Sequence, residues 1–242
     1  MYAHQNYNSQ NGLFALKYRT NMIREQLLEI YKLLFKRFGP QHWWPGETRF
    51  EIIIGAILTQ NTNWGNVKKA IANLKTAKRM TPESLHKLKH EQLAELIHPA
   101  GYFNIKARRL KSFLDWLFEN YDGKLSNLEK IDTGRLREEL LAVKGIGPET
   151  ADSILLYAFE RPVFVIDVYT ARVMCRHHLI ELGADYSQLQ DLFQSNLPQD
   201  VKLFNEYHAL LVRTGKDFCK PTAKCPGCPL ENLPHDPTIG QV

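Results

Sequence analysis

The chain has 242 residues, 44% of them apolar and 24% charged, with a formal net charge of +5. That length leaves room for one large or two small domains with a real core. The mild positive excess permits nucleic acid as a partner without requiring it, and no apolar run reaches transmembrane length.

The first 21 residues, MYAHQNYNSQNGLFALKYRTN, are polar and lack the charged-then-apolar order of a signal peptide. They read as a flexible leader, with folded structure starting near Met22. From Ile23 to Phe38, apolar residues at Ile23, Leu27, Ile30, Tyr31, Leu34 and Phe35 have helical spacing. FGPQHWWPGE breaks that pattern with two prolines and two glycines. A second helix begins near Thr48 and carries Phe50, Ile53, Ile54, Ile57 and Leu58. Thr81 followed by Pro82 is a helix start, and Leu85, Leu88, Leu93, Leu96 and Ile97 continue an amphipathic pattern. A helix rich in Leu110, Phe113, Leu114, Trp116 and Leu117 ends at YDG, and Asp132 caps the next one, through Leu136 and Leu140. The only strand-like stretch is PVFVI, too short and isolated to build a sheet. The expected class is all-α. The basic runs, at Lys36, at Lys68 and Lys69, and from Lys106 to Lys111, each read as a solvated helix face.

VKGIGPETA lies between two helical patterns. Glycines at Gly145 and Gly147 let the backbone turn sharply and bring its amides close to another group. The helix starting near Pro148 adds its dipole at the same place, which suits a phosphate. Contact made by backbone alone fixes position without reading sequence. The simpler reading is a tight helix–helix turn. Asp167 stands 20 residues after Gly147, where PVFVI ends and VYTARVMCRHHL begins. Taken alone it is a plain N-cap, kept ionised by the helix dipole.

LLAVKGIGPETADSILLYAF followed by VFVIDVYTARV resembles the helix-hairpin-helix DNA glycosylase superfamily, which includes endonuclease III. GAILTQNTNW at Gly55–Trp64 and AGYFNIKARRL at Ala100–Leu110 resemble two further shared segments, so the similarity runs from about Trp43 to Cys228. The resemblance implies two helical lobes flanking a cleft: residues 41–161 as a six-helix, barrel-like domain with the hairpin, and residues 22–40 with 162–242 as the second domain with a cysteine loop. It implies a monomer acting on double-stranded DNA that carries a damaged base, in the cytoplasm with the chromosome. Asp167 takes the essential aspartate's position, at the junction of the lobes. Lys144, Gly145, Ile146 and Gly147 would hold the DNA backbone, and Gln60 with Asn61 would fill the space of an extruded base. Many relatives place a strand-cutting lysine two positions after the last hairpin glycine; here Glu149 stands there, beside the base pocket, and a carboxylate cannot form an imine. The expectation is therefore base removal alone.

Trp43, Trp44 and Trp64 suggest an aromatic base pocket, and aromatic faces attract cationic rings. Taken one at a time, each is equally a core or wall residue. Together they resemble the endonuclease III-related 3-methyladenine glycosylases, which points to alkylated purines. An oxidised-pyrimidine glycosylase and a non-catalytic hairpin DNA-binding module are the alternatives.

Of the four cysteines, Cys219, Cys225 and Cys228 crowd into ten residues, with Cys175 distant. This is unlike a disulfide framework and agrees with a reducing compartment. The C-x5-C-x2-C spacing suits an iron–sulfur or, less well, a zinc site, and equally a loop that has lost its cluster and survives through packing. Many relatives bind a four-iron four-sulfur cluster through four cysteines; here Pro234 falls about where the fourth would be, with His235 or Asp236 as substitutes.

Overall fold

The computed structural model describes residues 6–44 and 46–240, with side chains from residue 21 onward. In chain order the helices are α1 (Asn6–Phe38), α2 (Arg49–Leu58), α3 (Trp64–Thr76), α4 (Pro82–His86), α5 (His90–Leu96), α6 (Phe103–Tyr121), α7 (Leu125–Leu128), α8 (Thr133–Ala142), α9 (Pro148–Ser153), α10 (Val168–Arg176), α11 (Tyr186–Gln194) and α12 (Val201–Asp217). A 3-10 turn at His98–Ala100 precedes α6, and α9 runs into a π-helical stretch, Ile154–Ala158. No strand occurs among the described residues, so the class is all-α.

The helix starts read from the sequence are in place. Thr48 accepts from the Glu51 amide, Thr81 from Ser84 with Pro82 next to it, and Asp132 from Gly134 and Arg135. α1 departs from expectation. It is helical from Asn6, so most of the polar stretch assigned to a leader belongs to a helix; residues 1–5 lie outside the described residues. Residues 6–21 contain no proline and only one glycine, so nothing local stops the helix that the apolar stripe from Ile23 establishes.

The chain divides into two compact units, Trp44–Val163 and Met1–Trp43 with Phe164–Val242. In the first, α2 is the central helix. Eight of its ten residues are buried, as expected of a helix that is apolar nearly all round. Ile53, Ile54 and Ile57 pack in one core with Leu110, Phe113 and Leu117 of α6, Leu136 and Leu140 of α8, and Ile154 and Leu155. Removing one such side chain to alanine costs about 2–5 kcal/mol in a core of this kind.

The second unit is built on aromatic rings. Phe164 stacks on Phe193 with centroids 3.8 Å apart and meets Phe204 and Tyr207 edge-on. The Tyr207 hydroxyl donates to the Leu27 carbonyl of α1 at 2.8 Å. PVFVI is neither helix nor strand, and no strand lies beside it among the described residues. Its buried backbone groups are met by α11 side chains instead: Phe164 N–H donates to Gln194 Oε1 (2.8 Å), its carbonyl accepts from Gln190 Nε2 (2.8 Å), and Ile166 N–H donates to the Tyr186 hydroxyl (3.3 Å).

Candidate functional site

The glycine hairpin joins α8 to α9, and its two glycines have different duties. Gly145 has φ +94°, and a Cβ there would fall 2.4 Å from Arg109 Cγ, so both conformation and space demand glycine. Gly147 has ordinary extended backbone (φ −97°, ψ 178°) with open space around it, and no side chain caps the helix that starts there. Lys144 and Glu149 are exposed and Ile146 is buried. Behind the hairpin, Arg137 grips the fully buried Asp152 with two bonds, Nε–Oδ1 at 2.7 Å and Nη2–Oδ2 at 3.0 Å, which ties α8 to α9.

Gln60 is fastened to this hairpin. Its Nε2 donates to the Gly145 carbonyl (3.0 Å) and to Thr150 Oγ1 (2.9 Å), and its Oε1 accepts from Arg109 Nη1. Asn61 is exposed and holds a left-handed backbone with φ +53°. The loop is tied further by Thr62 Oγ1, which donates to the Ala100 carbonyl at 2.6 Å. Lys106 Nζ, at 1% exposure, donates to the carbonyls of Leu58 and Ala100, both at 2.8 Å. Burial, and then the charge of Arg109, lower the Lys106 pKa to about 8. The run from Lys106 to Lys111 is therefore not the solvated face its composition suggested. Lys106, Arg109 and Lys111 all donate to groups inside this unit, and Arg108 is the member left exposed. The long stems let these cations reach carbonyls across the fold. Tyr102 was not singled out from the sequence; it is 68% exposed with φ +45° at the start of α6.

Asp167 caps α10, with Oδ1 accepting from the Thr170 amide at 2.7 Å. Its other oxygen, Oδ2, lies 3.6 Å from His208 Nε2 on α12, and both side chains are nearly buried. Burial by itself raises the pKa of the carboxyl, but His208 and the Thr170 amide outweigh it, and the net shift is below the ordinary value. Asp167 is thus held as an anion in a poorly solvated place. His208 was missed in the sequence; the available signal was a lone polar residue within the apolar run of α12, YHALLV.

The three tryptophans each find ring partners within their own unit. Trp44 stacks on Tyr157 (4.8 Å, 10°) and tilts against Trp64 (5.2 Å), and both tryptophans pack against the core. Both indoles pack on α2 at Gly55, where a Cβ would meet them at an ordinary contact distance of 3.4–3.5 Å. Trp43 instead meets the His208 ring edge-on at 6.3 Å, with Lys216 Nζ 5.7 Å from its face and 5.8 Å from that of Tyr169. Trp43 therefore shares its surroundings with Asp167, whereas Trp44 and Trp64 belong to the wall of the other unit.

Residues 54–199 match the model of the HhH-GPD superfamily base excision DNA repair proteins. The chain belongs to this family. It is 46% identical over 211 residues to a Methanocaldococcus jannaschii protein named "Putative DNA repair glycosylase", covering 86% of this chain and 96% of that one. It is 30% identical over 206 residues to endonuclease III of Thermotoga maritima, covering 84% and 90%. In three dimensions it is similar to the H. pylori 3-methyladenine DNA glycosylase solved with 1,N6-ethenoadenine, with a TM-score of 0.65, 29% identity, and 81% and 97% of the two chains covered. This HhH-GPD protein is a DNA glycosylase of base excision repair with the all-α fold of its relatives. No described helix is long and apolar enough to cross a membrane.

The cysteine loop of the glycosylase is organised by an arginine. Arg176, the last residue of α10, is 2% exposed. It donates to the carbonyls of Ile239 (2.9 Å), Lys220 (2.7 Å) and Pro221 (2.7 Å), and to Cys219 Sγ (3.2 Å). Nothing in MCRHHL signalled this role. Cys219, Cys225, Cys228 and His235 line one cavity, but His235 Nδ1 is engaged with the Leu233 carbonyl at 2.8 Å. Among the described residues no three Cys, His, Asp or Glu side chains are placed to hold a metal ion. With Pro234 at the fourth position and a guanidinium on the first thiol, these residues do not fit a four-cysteine cluster as they stand.

Proposed function

We propose that this glycosylase removes alkylated purines, such as 3-methyladenine, from double-stranded DNA without cutting the strand. The single observation that carries the base-release part is Asp167, an anion fixed by a helix cap and largely shielded from water. Breaking the bond between base and sugar builds positive charge on the sugar, and a preoriented carboxylate stabilises it electrostatically. The bonding electrons leave with the base, and water then adds to the sugar carbon, giving an abasic site and a proton.

Other residues take supporting parts. The uncapped start of α9, with Lys144, Gly145, Ile146 and Gly147, holds backbone phosphate, because amides and dipole there favour an anion. The loop carrying Gln60 and Asn61 supplies the group that fills the gap when the base swings out. Trp43 supplies an aromatic face beside His208, the partner of the carboxylate, and Trp44 and Trp64 line the wall. The relative solved with 1,N6-ethenoadenine favours a purine substrate. Glu149 at the lyase position favours hydrolysis over imine formation. The endonuclease III relatives support the oxidised-pyrimidine alternative.

A panel of duplexes tests the choice. Release of methylated purines with no borohydride-trapped protein–DNA adduct is the expected result; release of oxidised pyrimidines, or a trapped adduct, overturns it. The cysteine loop takes no part in this chemistry. A cluster there would rest on Cys219, Cys225 and Cys228 with a fourth ligand such as His235, and iron analysis of the purified protein decides between the metal and the arginine as its organising centre.

A further inference from the structure

Lys106 is the odd residue of the hairpin-bearing unit: a cation at 1% exposure on which no carboxylate acts among the described residues. Burying such a charge is costly unless hydrogen bonds compensate for it. The compensation is two carbonyls, of Leu58 and Ala100, each 2.8 Å from Nζ, and both bonds are buried. Leu58 is the last residue of α2, where the helix dipole favours a cation, and Ala100 is the last residue of the 3-10 turn before α6. Thr62 Oγ1 donates to the same Ala100 carbonyl at 2.6 Å. The Gln60 loop and the turn before α6 therefore meet at one oxygen, although Thr62 and Ala100 are 38 residues apart in the chain. Left-handed backbone gathers at this meeting point: Asn61 (φ +53°), Gly101 (φ +66°) and Tyr102 (φ +45°). Conformations of that kind persist only where surrounding contacts fix them.

We infer that Lys106 is a positioning residue for base release: from inside the unit it braces the Gln60 loop and the Gly101–Tyr102 turn into one rigid edge, and so holds Gln60 where it fills the gap left by the base. Lys106 touches neither base nor sugar and acts only through that loop. A methionine of similar length would fill the same space with less desolvation, but it would leave two carbonyls at helix ends without their donor. The positioning role rests on the reading that the Gln60 loop faces DNA; the brace itself does not.

The test uses Lys106→Met, Thr62→Val, Gln60→Ala and the double variant of Lys106→Met with Gln60→Ala. Amide hydrogen exchange is read first, without DNA, at Thr62 and Gly101, whose amides are bonded within their own turns to the carbonyls of Thr59 and His98. Lys106→Met should speed exchange at both, on the order of tenfold, and leave the hairpin amide of Ile146 unchanged. Faster exchange at only one of the two turns, or at neither, overturns the brace, whatever the enzyme's substrate. Thr62→Val removes only the second donor to Ala100 and should show the same pattern more weakly, so it replaces Lys106→Met throughout if that variant does not fold. Single-turnover base release is read next, on a methylated-purine duplex, or on an oxidised-pyrimidine duplex if that is the one processed. Lys106→Met should slow release on the order of tenfold while holding undamaged duplex within about twofold of wild type. In the Gln60→Ala background the same change should slow release by less than about twofold, because its effect runs through Gln60. An equal loss with and without Gln60 would make Lys106 a general stabiliser of the unit and overturn the positioning role. If the wild-type protein releases no base from either duplex, the glycosylase reading fails, and the exchange measurement still decides the brace.

Discussion

Two helix starts in this protein are built in opposite ways. α9 begins at Gly147 with no side-chain cap, open space around the glycine and an unstrained backbone. α10 begins at Asp167, whose carboxylate bonds the Thr170 amide and lies beside His208. A helix N-terminus left without a cap keeps its amides available for an anion that arrives from outside; one capped from within uses the same amides to hold its own anion still. The same local physics leaves amides open to an anion in one place and holds a built-in charge still in the other.

The sharpest way to break this contrast is Asp167→Asn. Asparagine caps a helix about as well as aspartate, so melting should hardly move. Base release should nevertheless fall by about 10²–10³-fold, the usual cost of losing one preorganised electrostatic group. A variant that loses stability and keeps its rate would make Asp167 a cap and nothing more.

The next effect lies at the other end of α10. Arg176→Met removes one buried guanidinium from three carbonyls and a thiol. Its predicted cost is about 3 kcal/mol, seen in thermal or urea unfolding. Cys225→Ala should cost under about 1 kcal/mol if the arginine alone organises the loop, and far more if a metal does.

The hairpin glycines sharpen the comparison further. Gly145→Ala must place a side chain at φ +94° and against the Arg109 stem, for about 1–3 kcal/mol of stability. Gly147→Ser meets no obstacle and installs a cap, so stability should hold or rise by roughly a few tenths of a kcal/mol. Duplex affinity should drop about tenfold at fixed salt, because the new hydroxyl stands where phosphate would approach. Unchanged affinity would show that the open helix start serves no anion.

The smallest effect concerns pH. The folded-state pKa of Asp167 is depressed, so its contribution to stability is present above the unfolded carboxyl value of about 4 and is lost as pH falls through the folded one. His208 is one cause of that depression, after the opposing effect of burial. His208→Asn should therefore move the acid limb of the rate profile to higher pH. An unmoved limb would remove His208 from the site.

Much of the fold was legible in the chain. Apolar spacing gave the helices from Ile23 onward, and Thr48, Thr81 and Asp132 marked three helix starts, because a cap acts over two or three residues. The hairpin and Asp167 stood out for the same reason. The leader misled because polar composition does not stop a helix that a neighbouring stripe has begun. The basic run misled because a cation's partner cannot be read from its own turn.

The sequence by itself determined the helix starts at Thr48, Thr81 and Asp132, which turn needs glycine and which carboxylate sits at a helix end. Tertiary structure alone decided that Lys106 finds a carbonyl 48 residues away, Arg109 a glutamine 49 away and Arg176 a cysteine 43 away. It also put Trp43 with His208 and Trp44 with Tyr157, although the two indoles are neighbours in the chain. Caps and periodicity are settled by dihedral angles within a turn or two, whereas buried cations and rings take whatever partner the packing of distant helices brings within reach.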